Sequence, residues 1–271
     1  MRVERPNRST SASSQIISDL WKRWTVKRVG IIGCGVIGTV IAKAVYEGIV
    51  NCDELILYDY NQEKAENLRK SLRVEVEVVR SLEEMLRAKP AVIVEAASQQ
   101  AVKEYLPRIL AENVELIVMS VGALLEMDVR SCKIHVPSGA IGGLDAVSSA
   151  VLAGIDEVTL TTRKNPQTLD LNNDGEMIAY DGYAEEAVRL FPREMNIAAT
   201  LALAVRPKKV MVKVISDPKV NRNIHEVKVA WKYGDMLLRF ENDPYPDNPK
   251  TSALAAWSAI RLLNEVLEKT F

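Results

Sequence analysis

The segment "KRVGIIGCGVIG", residues 27–38, limits the possible folds more than any other part of the chain. Its apolar run suits a buried strand, and Gly33, Gly35 and Gly38 follow with G-x-G-x-x-G spacing. "TVIAKAVYEG" then continues with helical periodicity and closes on Gly48, a suitable C-cap. Between a strand and a helix the three glycines have distinct tasks. Gly33 permits the tight turn, Gly35 lets the backbone approach a pyrophosphate, and Gly38 lets helix and strand pack closely. The helix start, at Val36 and Ile37, offers unpaired amides to phosphate. Asp59 ends the next strand, "ELILYDY", where a carboxylate can accept from a ribose 2′-hydroxyl. The expected ligand is therefore a dinucleotide. NAD is favoured because Asp59 repels a 2′-phosphate, and NADP stays open because Lys64 is near in sequence. The alternative is a glycine turn that holds no ligand.

Strand and helix patterns continue to alternate. "NQEKAENLRKSL" is a polar-faced helix opened by Asn61, and "RVEVEVV" alternates as a strand does. "SLEEMLRA" carries the capping-box pair Ser81 and Glu84. "AVIVEAA" is a strand and "SQQAVKEYLPRILAEN" a helix, which Pro107 is expected to kink or break. "ELIVMS" is the next strand. This rhythm predicts a parallel sheet covered on both faces. Ala97 and Ser98 follow "VIVEAA" at the carboxyl edge, where such sheets bind ligands; alternatively Ser98 only caps its helix. "VGALLEMDVRSC" leaves room for no more than a short helix before "KIHVP", whose His135 reads as a structural strand residue.

From about residue 138 the period changes to two. "EVTLTTR", "KVMVKVIS", "HEVKVAW" and "DMLLRFEN" read as strands, with a hairpin around residues 233–235. "MNIAATLALAV" is an apolar helix, and "NPKTSALAAWSAIRLLNEVLEK" a long terminal one. The predicted fold class is α/β: an N-terminal Rossmann dinucleotide-binding domain, then an α+β domain with an antiparallel or mixed sheet. The expected divisions are an extension at 1–26, the dinucleotide-binding domain at 27–137 with the terminal helix 249–271, and a catalytic domain at 138–248.

Composition narrows the function classes. Hydrophobic content of 48%, 26% charged residues and a formal net charge of -1 describe a soluble globular protein without a basic face, so no nucleic-acid partner is expected. No apolar run reaches the ~18 residues of a membrane span. Cys34, Cys52 and Cys132 show no metal-ligand spacing; they read as reduced packing residues of a cytoplasmic protein, and no metal is expected. The polar, Ser-rich N-terminus lacks an apolar core of a secretory signal. "SQIISDLWKRW" has Ile16, Ile17, Leu20 and Trp24 spaced for a short amphipathic helix. His225 is one of only two histidines and stands where a polar loop enters "HEVKVAW". It is either a proton-transfer group, with an unperturbed pKa of ~6.5, or a polar strand-end residue.

Six blocks, "VEAASQQAV", "SGAIGGLDA", "TTRKN", "FPREMNIAATLALA", "NIHEV" and "NPKTSALAA", resemble the L-aspartate dehydrogenase family, from about residue 28 to the terminal helix. The resemblance implies a Rossmann domain followed by an α+β domain, with the last helix returning to the first domain. It implies NAD- or NADP-dependent oxidation of L-aspartate to iminoaspartate, which gives oxaloacetate and ammonia or feeds NAD biosynthesis. It also implies a homodimer. By motif, His225 corresponds to the catalytic histidine, and Asn196 and, through its backbone, Ala140 to cofactor contacts. Asn196 is otherwise an N-cap, and the glycine-rich stretch 138–143 otherwise a hinge. In "NPKTS", Asn248 as cap with Lys250 and Thr251 forms a candidate clamp for substrate carboxylates; the alternative is a capped helix with a solvent-facing lysine. The chain departs from the family in its N-terminal extension and in the short segment around 125–132. Competing readings are a dehydrogenase of another small dicarboxylate or amino acid, or a non-catalytic NAD(H)-binding regulator.

Overall fold

The computed structural model describes residues 26–72, 75–127, 131–245 and 248–270, with the side chains of 248–250 left out. The expected helix near residues 15–24 lies outside the described residues. Among those described, six strands form a parallel sheet: β1 (Arg28–Ile32), β2 (Glu54–Tyr58), β3 (Val76–Val78), β4 (Val92–Glu95), β5 (Glu115–Val118) and β6 (Ile134–His135). Their order is β3-β2-β1-β4-β5-β6. The order reverses between β1 and β4, which opens a crevice beyond their carboxyl ends. Val, Ile and Leu fill the central strands because helices cover both faces. α1 (Val36–Tyr46), α2 (Gln62–Ser71), α3 (Leu82–Arg87) and α4 (Gln99–Ala111) are the crossovers, and Asn61, Ser81 and Ser98 cap the last three as their sequences predict.

Pro107 neither ends nor interrupts α4, contrary to expectation. Buried Val102, Leu106 and Ile109 anchor the helix on both sides of the missing backbone donor. The segment after β5 has room only for the one-turn helix α5 (Ala123–Glu126), yet it returns the chain to pair β6 parallel to β5.

The second sheet has the order β11-β10-β7-β9-β8, formed by β7 (Ile155–Lys164), β8 (Met177–Tyr183), β9 (Met211–Ser216), β10 (Asn223–Trp231) and β11 (Gly234–Asn242). It is mixed: β7 and β9 run parallel, and the other pairs are antiparallel. The hairpin turns at Lys232 and Tyr233, between the paired Trp231 and Gly234. β8 escapes the pattern reading because it is an edge strand with mostly exposed side chains and little alternation. α6 (Leu144–Ala153), α7 (Ala184–Leu190) and α8 (Asn196–Ala204) pack with the sheet's inner side in one apolar core.

The terminal helix starts later than expected. Asn248–Ser252 form β13, which pairs with β12 (Pro244–Tyr245), and α9 spans Ala253–Thr270. Asn248 is therefore not its cap. Pairing with β12 gives the backbone of this stretch an extended alternative to a helical turn. α9 buries Ile260, Leu263 and Val266 beside α1, β4 and β5, so the chain end returns to the first sheet.

Candidate active site

The glycine loop has the geometry its spacing implies. Gly33 has φ +98°, and an added Cβ would lie 2.6 Å from Ala96 O. A Cβ on Gly38 would lie 1.9 Å from Gly33 O, whereas one on Gly35 meets nothing within 4 Å. Two glycines thus allow packing, and the third leaves open space where a phosphate would approach. α1 begins at Val36 without a side-chain cap, so its first-turn amides at Val36 and Ile37 are available to an anion. Asp59 Oδ2 accepts from Cys34 N at 2.7 Å and Oδ1 from Asn61 N at 2.8 Å, which fixes the carboxylate at the head of the crevice.

Three adjoining hollows continue from there. The first, about 360 Å³, lies between Gly33, Gly35, Asp59 and Lys64 on one side and Ala97 and Ser98 on the other. The second, about 410 Å³, shares Ala97 and Ser98 with it and adds Ile37, Arg193 and Asn196. The third, about 90 Å³, shares Ile37, Arg193 and Asn196 with the second and ends at His225. The loop after β4 is held by Glu95, a 2% exposed carboxylate. Its Oε1 accepts from Ala97 N (2.8 Å), Ser98 N (2.9 Å) and Ser120 Oγ (2.9 Å), and its Oε2 from Ser120 N (3.0 Å). Burial pushes the Glu95 carboxyl above its ordinary pKa, and these four donors oppose that shift. Ser98 also caps α4 by accepting from Ala101 N, and it lines the first hollow.

The inner row of the second sheet changes character towards the crevice. On β7 it reads Val158, Leu160, Thr162, Lys164; on β10, paired alongside, it reads Val229, Val227, His225, Asn223. Apolar residues occupy the covered half and polar ones the end that meets the first domain. His225 is 1% exposed, and its Nδ1 lies 3.2 Å from Thr162 Oγ1. Burial, and secondarily the charge of Lys164, depress its pKa to about 3. This corrects the expectation of a group titrating near 6.5. With its pKa this low the imidazole is neutral over the physiological range.

Asn196 is the first residue of α8 rather than its N-cap, which is Met195. Its Oδ1 is buried with no hydrogen-bond partner, and the residue lines the second and third hollows. Such an orphan is costly unless a ligand supplies a donor. A nicotinamide carboxamide supplies one, so the residues fit a nicotinamide dinucleotide. Ala140 also lines the innermost hollow, with its carbonyl accepting from Asn242 Nδ2 at 2.9 Å. Among the described residues no His, Cys, Asp and Glu group suits a metal.

Residues 33–134 match a family model described as homoserine dehydrogenase, NAD binding domain, and residues 145–266 match one described as aspartate dehydrogenase, C-terminal. An L-aspartate dehydrogenase of Methanosarcina mazei is 40% identical over 263 residues, covering 89% of this chain and 97% of the relative. That of Methanothermobacter thermautotrophicus is 41% identical over 250 residues, covering 89% and 96%. The chain belongs to the L-aspartate dehydrogenase family. A crystal structure of aspartate dehydrogenase from Thermotoga maritima aligns with a TM-score of 0.67 at 31% identity, covering 89% of this chain and 96% of that one. A myo-inositol dehydrogenase of Corynebacterium glutamicum, at 11% identity and TM-score 0.53, shares the fold alone.

The crevice brings together most of the sequence-picked residues: Gly33, Gly35, Asp59, Ala97 and Ser98 at one end, and Ala140, Asn196, Thr251 and His225 at the other. Of the "NPKTS" clamp of this family member, only Thr251 has a described side chain; those of Asn248 and Lys250 lie outside the described residues. Sequence reading passed over Glu95, Lys164 and Arg193. Lys164 had a signal: it sits on the apolar register of an alternating strand, where a lysine is out of place.

Proposed function

We propose that the chain oxidises L-aspartate to iminoaspartate with NAD, and that the imine is hydrolysed to oxaloacetate and ammonia. The observation that carries this reading is the line of hollows from the Asp59 carboxylate to the buried imidazole, with the orphan Asn196 Oδ1 between them. When bound, NAD supplies the hydride acceptor. The chain's own residues supply position and proton handling. The glycine loop and the first turn of α1 hold the pyrophosphate, Asp59 holds the adenosine ribose, and Asn196 orients the carboxamide. Neutral His225 removes the proton that must leave the substrate ammonium before hydride departs from the carbon that bears it. Thr162 keeps Nδ1 engaged, which leaves Nε2 for that proton. The ring releases that proton to solvent, then takes one from the water that adds to the imine and passes it to the departing nitrogen, so ammonium leaves and one proton is released overall.

Asp59 supports NAD over NADP. The three cysteines are free thiols, which suits a reducing cytoplasm. A homodimer is supported by the outer face of the second sheet, where the apolar side chain of Leu237 is exposed among the described residues. Among the described residues no helix is long and apolar enough to cross a membrane. The test is to follow NAD reduction with L-aspartate, L-glutamate, L-alanine and L-malate. L-Aspartate should stand apart. A faster hydroxy acid, or NAD binding without any turnover, overturns the assignment.

A further inference from the structure

Resting on the aspartate-oxidising reading, we propose that Lys164 is a substrate-binding residue whose ammonium receives the carboxylate attached to the reacting carbon. Lys164 is 3% exposed and ends β7 on the same inner row as Thr162. It lines the innermost hollow together with His225 and Asn196. Thr162 lies directly opposite His225, so Lys164 is the diagonal neighbour of His225, at a spacing of roughly 7–8 Å that a long side chain crosses easily. One molecule two to three bonds across can therefore touch both groups. The amine served by His225 and the adjacent carboxylate share one carbon, so the cation beside the imidazole meets that carboxylate. A buried ammonium also favours an incoming anion far more than a solvated one does. The other charged groups lining this hollow are Arg193 and Glu194, on the loop before α8. Arg193 also lines the second hollow, and the carboxylate of Glu194 does not attract an anion, whereas Lys164 stands on the same inner row of the sheet as His225 and Thr162.

The arrangement also couples binding to chemistry. Lys164 is one of the two influences holding the His225 pKa down. A carboxylate on that ammonium offsets its charge and makes the imidazole a stronger base when substrate is present.

The experiment titrates the NADH-bound protein with oxaloacetate in the absence of ammonia, and with succinate, which carries two carboxylates and no reactive carbon. Lys164→Met keeps the length of the side chain and removes the charge; Lys164→Arg keeps the charge. Lys164→Met should bind both ligands about 10- to 100-fold more weakly, as loss of a charged hydrogen bond implies, with NADH affinity unchanged. Lys164→Arg should recover much of the difference. With only two histidines in the chain, proton NMR can follow His225 directly, and its titration midpoint should rise in Lys164→Met. Unchanged dicarboxylate affinity overturns the proposal, and so does loss of NADH binding in step with dicarboxylate binding, which marks a structural cation. A parent protein that fails to oxidise aspartate, yet loses succinate on Lys164→Met, retains the carboxylate site and rejects the aspartate reading instead.

Discussion

His225 makes stability depend on pH as well as serving the proposed chemistry. Its folded pKa is about 3, below the ordinary 6.5. As pH falls below about 6.5 the unfolded chain takes up a proton that the buried ring refuses, so stability present above 6.5 is lost progressively towards pH 3. The slope from this one group is at most ~1.4 kcal/mol per pH unit. His225→Gln should flatten the fall in urea stability between pH 6.5 and 4.5, and an unchanged fall there assigns the acid sensitivity to other groups. The same variant should lose about 10²–10⁴ in turnover if the ring transfers protons; near-parent turnover removes that role. Asp59 accepts from two backbone amides, which fix the orientation of its carboxylate. Asp59→Ser should narrow the preference for NAD over NADP in fluorescence titrations of the reduced cofactors. A parent protein that prefers NADPH contradicts the assignment at the outset.

At the scale of elements, the crevice depends on how the loops after β4 and β5 are tied. Glu95 joins them through four hydrogen bonds, to Ala97, Ser98 and Ser120, and no other described side chain bridges the same three residues. Glu95→Gln places an amide donor against one of the donors that the carboxylate accepts. The expected loss is ~1–3 kcal/mol of stability together with weaker NADH binding, read by thermal melts and by titration. Parent-like values in both would mean that neighbouring packing alone holds the loops. Elements with strong local periodicity were legible. β1, β2, β4 and β5 are apolar runs bounded by turn residues, and the caps at Asn61, Ser81 and Ser98 stand where their spacing puts them. Pro107 and "NPKTS" misled because local preference yields to packing and pairing: α4 is anchored on the core, and residues 248–252 have a partner strand.

For the whole molecule, the second sheet sets one face in the core and carries exposed side chains on the other among the described residues. Met236, Leu238 and Phe240 of β11 turn inward to the core, while Leu237, 62% exposed, points away beside the exposed Lys228. An apolar side chain on an open sheet face suits association with a second copy of the chain. Leu237→Glu is expected to shift a dimer towards monomer in light scattering; a dimer unaffected by this change uses another surface. The glycine loop, Asp59, the alternation of strands with helices and the candidacy of His225 were readable from residues alone, because each rests on contacts within one βαβ unit or on the period of one strand. Bringing His225 to the end of a dinucleotide crevice took the tertiary fold, as did leaving Asn196 Oδ1 without a partner and setting Lys164 beside the imidazole. Those relations join segments far apart in the chain, and burial, which sets the His225 pKa, is a property of the packed surroundings rather than of the side chain. Sequence periodicity fixes which face of a strand is hidden; only the assembled domains decide what that hidden face meets at its end.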